Sequence, residues 1–173
     1  MSNVLIPTSG DFSKRMENSP YWEATIGTLL SKAGLVSVHF PSDITDDDKS
    51  QSVDLKVGTE NDYWNQTLRD LEVKGVSIGF KDCKSYPFDM MWTWSQFSYL
   101  NKWPGTDHSV IDFIKISMKT GAVVWVPRGT PIEMGHESFD KTRGTFFKVV
   151  GVHKKYLKSF EDFILDVKNP YLS

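Results

Sequence analysis

The chain has 173 residues, 39% of them hydrophobic, and its 20 Lys and Arg against 22 Asp and Glu give a formal net charge of −2. This length and composition predict one folded domain over residues 1–173, and they exclude global disorder and a polybasic nucleic-acid coat. Cys83 is the only cysteine, which excludes an intrachain disulfide and a cysteine-based zinc cage and favours a reducing, cytoplasmic location. We expect no secretory signal and no contact with a membrane, because no segment approaches the roughly 20 apolar residues that span a bilayer.

The first half of the chain predicts a helix followed by strands. Ser19 and Pro20 predict a helix start, apolar residues then recur at helical spacing, and Gly34 predicts the end of the helix. The sequence then predicts strands over residues 35–40, 52–57 and 68–74, with an acidic loop at 41–52 and a polar turn between the last two strands.

The second half predicts a helix over residues 89–100, a hairpin of strands 110–117 and 122–126, a strand over 145–152 and a closing amphipathic helix over 156–167. The sequence HESFD around His136 is interpreted as an exposed loop. Together these elements predict a mixed α/β fold, with a central mixed β-sheet flanked by helices.

The charges are unevenly distributed along the chain. Residues 1–63 carry 5 basic and 10 acidic side chains, whereas residues 128–158 carry seven basic side chains against three acidic ones. A polyanion could bind the basic segment while an acidic cluster lies elsewhere, as expected of metal-dependent enzymes that act on nucleic acid. A solvated surface with uneven patches would explain the same counts.

Two neighbouring predicted strands carry the side chains that could perform chemistry. On the strand over 68–74, we expect Leu71 and Val73 to face the core, whereas Asp70, Glu72 and Lys74 share the other face. If the strands pair, Asp54 approaches Glu72 and Lys74. Two converging carboxylates suit Mg²⁺ or Mn²⁺, and a lysine beside them could position a water or stabilise charge on a phosphate. Any half-exposed strand shows such alternation, so the spacing alone does not assign the chemistry.

The order of these residues resembles the PD-(D/E)XK nuclease superfamily. The resemblance comprises Glu23 on an N-terminal helix, then Asp54, then Glu72-Val73-Lys74, within the order helix, three strands, helix. The segments EVKGVSIGFKDCKSYPF and ISMKTGAVVWV are also similar to small phage-encoded members. The resemblance covers about residues 19–126 and leaves 127–173 as a basic C-terminal extension. Val53 stands where the motif has proline.

The resemblance implies a restriction-endonuclease-like core and a magnesium- or manganese-dependent nuclease. Asp54 and Glu72 would bind the metal ion, Lys74 would orient the attacking water or stabilise the transition state, and Glu23 would support the metal through a water. It also implies DNA as the partner, a homodimer, and the cytoplasm of the host if the protein is phage-encoded. DNA contacts are expected from a set of basic residues: Lys81, Lys84, Arg128, Lys141 and Arg143.

Three alternatives stay open at this point. Asp70, Asp82 and Lys84 form a second acid-x-lysine arrangement that could be the site in place of the first. The domain could keep a nuclease fold without activity and bind DNA or a host protein as an accessory factor. The acidic loop at 41–52 could instead mimic nucleic acid. The sequence does not distinguish an endonuclease from an exonuclease.

Overall fold

The computed structural model describes residues 19–39, 54–95, 111–141 and 144–171. Its helices are α1 (Ser19–Lys32), α2 (Glu60–Trp64) and α3 (Phe160–Lys168). Its strands are β1 (Val36–His39), β2 (Leu55–Gly58), β3 (Arg69–Val76), β4 (Met90–Ser95), β5 (Asp112–Ser117), β6 (Val123–Val126), β7 (Glu133–Asp140), β8 (Thr145–His153) and β9 (Lys158–Ser159). A 3₁₀ turn covers Lys154–Tyr156. The acidic loop at 41–52 and Arg143 lie outside the described residues.

The strands form a larger and a smaller sheet. The six-stranded sheet has the order β1-β2-β3-β5-β6-β9, and the three-stranded sheet has the order β4-β8-β7. Strands β3 and β5 run parallel, while the other neighbours in both sheets pair antiparallel. This arrangement confirms the predicted mixed α/β class with a mixed sheet.

Each face of the six-stranded sheet packs against a different layer. On the first face, α1 and α3 bury a core that includes Ile26, Leu71, Ile114 and Phe163. On the second face, the strand residues Phe113 and Val124 share a core with Met91, Val150 and Val152 of the small sheet. Helices therefore cover one face of the large sheet, and a second sheet packs on the other.

Several predicted boundaries agree closely with the structure. Gly34, at φ +83°, follows the end of α1, and Gly121, at φ +74°, lies in the turn of the predicted β5–β6 hairpin. Glycine reaches these left-handed conformations without the steric cost that a β-carbon adds. The closing helix starts later than predicted, because the chain first forms the 3₁₀ turn and β9.

The predicted helix over residues 89–100 is wrong where the structure describes it, because Met90–Ser95 forms β4. Alternate residues face opposite sides: Met91 is buried in the second core, whereas Trp92 lies against Gly135 and Gly151, where an added β-carbon would come within 2.7 and 2.5 Å of its ring. Aromatic and β-branched residues favour such a packed strand. Residues 96–100 lie outside the described ranges. The predicted loop around His136 is also wrong, since it belongs to β7.

A buried cluster of charges connects the strands to α3. Asp112, which is fully buried, accepts hydrogen bonds through Oδ2 from Arg69 Nε at 3.0 Å and Nη2 at 2.9 Å. Its Oδ1 accepts from Trp125 Nε1 at 2.8 Å and from the Arg128 N–H at 3.0 Å. Arg69 Nη1 also donates to Asp166 of α3 at 2.6 Å. Burial of these charges is tolerated because each contacts an opposite charge and further hydrogen bonds.

Helix α2 begins with a capping box. The Asp62 carboxylate accepts from the Thr59 N–H at 2.7 Å and from Thr67 Oγ1 at 3.0 Å, while Thr59 Oγ1 accepts from the Asp62 N–H at 3.2 Å. These hydrogen bonds, chiefly the one from the Thr59 backbone, lower the pKa of Asp62 below its ordinary value of 3.8.

We expect Asp62→Ala to lower the free energy of unfolding by about 1 kcal/mol at pH 7, as for other helix caps. Because the folded-state pKa lies below the unfolded one, this stabilisation is fully present above pH 3.8 and is lost as the pH falls through the folded-state value. Urea unfolding of both proteins at pH 7, 5 and 3 measures the difference. An equal difference at pH 7 and pH 3 would contradict the role of the charged carboxylate.

Candidate functional site

The pairing of β2 with β3 brings Asp54 and Glu72 to the same place on the large sheet. Leu55 pairs with Leu71, and extending this antiparallel register by one residue places Asp54 opposite Glu72. The two leucines point into the first core, so both carboxylates lie on the second face. Residues directly opposite each other in such a pair have Cβ atoms about 4.5–5.5 Å apart. Asp54 and Glu72 are called the carboxylate pair below.

Asp54 is held by the backbone of the neighbouring strand. Its side chain is half-buried, and its Oδ2 accepts a hydrogen bond from the Val73 N–H at 2.8 Å. A hydrogen bond from a backbone N–H to a carboxylate is stronger than one to a neutral acceptor. The contact fixes the orientation of Asp54 beside Glu72, the residue that precedes Val73.

Glu72 is almost buried, with 9% of its surface exposed, on the face that carries the second core. Its neighbours Leu71 and Val73 belong to the first core, so alternation along β3 determines where its side chain points. A carboxylate withdrawn from water is costly unless it is hydrogen-bonded or paired with a cation. Positions of this kind occur frequently at functional sites.

Two lysines lie next to each other beside the carboxylate pair. Lys74 is exposed, and its register partner on the parallel strand β5 is Lys115, which is fully buried. The Lys115 Nζ lies 5.5 Å from the centre of the Phe113 ring, on the same face. Lysine is almost never fully buried unless it is paired. Its position beside the carboxylate pair makes Lys115 a further candidate, which was not predicted from the sequence. The signal in the sequence was a lysine between the apolar residues of FIKI, within β5.

Asp70, the first member of the alternative arrangement, forms an ion pair across β2 and β3. Lys56 Nζ lies 3.0 Å from Asp70 Oδ1, and both side chains are partly exposed, at 41% and 27%. Such an exposed pair contributes at most about 1 kcal/mol to stability.

Asp82 and Lys84, the other two members, lie in a turn and not on a strand. Asp82 Oδ1 accepts from the Ser85 N–H at 2.7 Å, and this hydrogen bond lowers the pKa of Asp82. Lys81 and Lys84 are exposed in the same turn. The structure therefore places Asp70 and Asp82 in separate elements, each with its own local partner.

Glu23 lies on α1, which packs on the first face of the sheet. Its neighbour Trp22 is buried in the first core, and an added β-carbon at Gly75 would lie 3.1 Å from the indole nitrogen of Trp22. Glu23 is half-buried and follows Trp22 in α1. The carboxylate pair lies on the opposite face.

The basic residues that are expected to contact DNA lie far apart in the sequence. Arg128 is exposed after β6, with its backbone N–H bonded to Asp112, and Lys141 is exposed at the end of β7. Arg143 follows Lys141 in the sequence but lies outside the described residues.

No protein-family model, curated protein or solved structure matches the chain. Across the described ranges, no three His, Cys, Asp or Glu side chains are grouped to bind one metal ion. None of the helices in these ranges is both long and apolar enough to cross a membrane.

Proposed function

We propose that the protein is a divalent-metal-dependent deoxyribonuclease whose site is built around Asp54, Glu72 and Lys74. The observation that carries the proposal is the β2–β3 register, which puts both carboxylates on one face with Lys74 two residues beyond Glu72. Hydrolysis of a phosphodiester needs negative ligands for a metal ion and a cation near the phosphate, and these side chains supply both. DNA as the partner and a cytoplasmic location belong to the same proposal.

The order of the elements supports this proposal. Helix α1 is followed by the antiparallel strands β1, β2 and β3, and β5 then pairs parallel to β3. This order agrees with the helix and three strands that the resemblance to PD-(D/E)XK nucleases implies, whereas Met90–Ser95, in the helix expected after the third strand, forms β4. Glu72 lies on β3, and Asp54 immediately precedes β2.

The donor set fits a hard cation that keeps most of its water. Magnesium is commonly bound through one or two carboxylates, with waters completing its octahedral shell, so the carboxylate pair is sufficient without a third protein ligand. When bound, such an ion supplies Lewis-acid stabilisation of the phosphate and a more acidic water.

The residues of the chain have distinct roles in this proposal. The Val73 N–H orients the Asp54 carboxylate through the 2.8 Å hydrogen bond, and burial limits the rotamers of Glu72. Lys74 is exposed and can therefore reach a bound phosphate, where its ammonium group stabilises the charge that develops during in-line attack.

A second candidate function is a nuclease-fold protein without activity that binds DNA or a host protein as a phage accessory factor. The observation that favours it is that Oδ2 of Asp54 already accepts a backbone hydrogen bond while Glu72 is nearly buried. In this case the carboxylates would stabilise the sheet.

A cleavage assay tests the first proposal against the second. Linear, circular, single-stranded and branched DNA are incubated with the protein and Mg²⁺, Mn²⁺ or EDTA, for the wild type, Glu72→Gln and the matched control Glu60→Gln. Glu60 is exposed in the first turn of α2, so its replacement removes a carboxylate away from the site. We expect metal-dependent cutting by the wild type and the control, and none by Glu72→Gln.

If Glu72→Gln cuts DNA as fast as the wild type, Glu72 is not part of the site. Cutting that persists in EDTA would contradict the metal dependence. If the wild type cuts none of the substrates but binds DNA in EDTA, the accessory function replaces the enzymatic one.

A further inference from the structure

A lysine lies inside the protein on the face of the large sheet that carries the carboxylate pair. Lys115, on β5, is fully buried, whereas its register partner Lys74, on β3, is exposed. Phe113, two residues before Lys115, belongs to the second core, so alternation puts Lys115 on the second face. Burying an ammonium group costs free energy unless opposite charge compensates for it. The surroundings of Lys115 therefore determine what the lysine does.

The ammonium group of Lys115 lies toward the row of the sheet that contains Glu72. Lys115 Nζ is 5.5 Å from the centre of the Phe113 ring, and Phe113 is the register partner of Glu72. Neighbouring strands lie about 4.8 Å apart and two residues along a strand span about 6.6 Å, so the Cα atoms of Glu72 and Lys115 are roughly 8 Å apart. Glu72 and Lys115 are therefore diagonal neighbours on one face, and both are withdrawn from water.

Three carboxylates lie on this face along β2 and β3, and their surroundings differ. Asp70 is partly exposed and pairs with Lys56 at 3.0 Å, and Asp54 lies one strand farther from β5. Glu72 is 9% exposed, so the water that would screen its charge is nearly excluded. Buried charges attract each other over several Å because solvent and salt screen them weakly. Of these three carboxylates, Glu72 therefore interacts most strongly with Lys115.

We propose that Lys115 is the internal counter-ion of the carboxylate pair and regulates how tightly the pair binds a divalent cation. Its positive charge stabilises Glu72 in the metal-free protein and repels the ion that would bind to the same carboxylate. The inference rests on the proposed function in that the carboxylates form a metal site, and it adds the regulation of that site. Because Lys115 is buried and acts through the charge of Glu72, it is a positioning residue and not a catalytic one.

A double-mutant cycle in EDTA measures the interaction without a metal ion. The variants are Lys115→Met, which keeps most of the length of the side chain and removes its charge, Glu72→Gln, and the combination of both. The control is Lys119→Met, because Lys119 is exposed in the β5–β6 turn. We expect the midpoint of urea unfolding to fall by about 1–2 M in Lys115→Met, and by much less when the same change is made in the Glu72→Gln background.

Calorimetric titration with Mn²⁺ measures the effect on the cation without cleavage. We expect Lys115→Met to bind Mn²⁺ at least tenfold more tightly than the wild type does, because the repelling charge is gone. Lys119→Met binds Mn²⁺ as the wild type does. Saturating Mn²⁺ is also expected to raise the unfolding temperature of Lys115→Met more than that of the wild type. A lysine that only packs in the core would lower stability without tightening the binding of Mn²⁺.

The outcomes separate this inference from the proposed function. Equal or weaker Mn²⁺ affinity in Lys115→Met, or stability losses that add in the cycle, overturns the counter-ion. If the combined variant also fails to fold, Lys115 stabilises the core independently of Glu72 and the inference is wrong. A Lys115→Met protein that folds only with Mn²⁺ or with Glu72→Gln supports the inference. Mn²⁺ binding by Lys115→Met but not by the wild type supports the counter-ion and overturns the enzymatic function, whereas no binding by either protein overturns both.

Discussion

Asp54→Asn is expected to fold like the wild type and to lose at least about a hundredfold in the rate of DNA cleavage. The amide oxygen of asparagine can still accept the hydrogen bond that the Val73 N–H donates to Asp54 Oδ2 at 2.8 Å. The negative charge that would bind a divalent cation is removed. Replacing residues that only contact a metal ligand already costs 10- to 100-fold, so loss of a direct ligand is expected to cost more. Cleavage rates at saturating Mg²⁺ and calorimetric titration with Mn²⁺ measure the effect.

Asp54→Ala is the matched comparison, because it removes the hydrogen bond as well as the charge. We expect a similar loss of cleavage, with an additional loss of about 1 kcal/mol in the free energy of unfolding. If Asp54→Asn retains wild-type cleavage and Mn²⁺ affinity while Asp54→Ala is destabilised, Asp54 has only a structural role and the proposed metal site is wrong.

Asp112→Ala is expected to lower the free energy of unfolding by about 3–5 kcal/mol, the cost of breaking a buried ion pair from one side. The fully buried carboxylate accepts from Arg69, Trp125 and the Arg128 N–H. Its removal leaves four N–H donors without that acceptor. The Arg69 guanidinium keeps Asp166 as a carboxylate partner. The midpoint of urea unfolding is expected to fall with little change in the dependence on urea concentration.

Two variants separate the parts of this cluster. Asp112→Asn keeps the size of the side chain and an oxygen that accepts from Trp125, so it is expected to lose less stability than Asp112→Ala. Asp166→Asn weakens the contact of Arg69 with α3, at a side chain that is 13% exposed, and is expected to lose still less stability. A loss below about 1 kcal/mol in Asp112→Ala would contradict the importance of the buried Asp112 for Arg69, whose contact with Asp166 would then be sufficient.

Much of the large sheet could be predicted because its strands combine local turn signals with clear alternation. Leu71 and Val73 face the first core as expected, and the β5–β6 hairpin turns at the predicted glycine. Strand β4 could not be predicted in this way. Its apolar residues are equally consistent with a helix, and the strand with which it pairs, β8, comes more than 50 residues later.

The candidate site was partly predictable for the same reason. Asp54 and Glu72 come together through a short antiparallel connection, so their pairing follows from two adjacent strands. Lys115 joins the same face through the parallel β3–β5 pairing, which no local pattern reveals. The exposure of Phe139 and Phe146 could not be predicted from the sequence either. Alternation shows that two residues share a face of a strand, but it does not show where the core ends.

The face of the large sheet that carries the carboxylate pair is built from one local strand pairing, β2 with β3, and one distant pairing, β3 with β5. Thirty-five residues lie between Val76 at the end of β3 and Asp112 at the start of β5, so a long loop must close before these strands meet. The carboxylate pair requires only the connection between β2 and β3. Chain entropy therefore favours early contact of the acidic side chains and late arrival of Lys115, and the high contact order of the central sheet slows the completion of the fold.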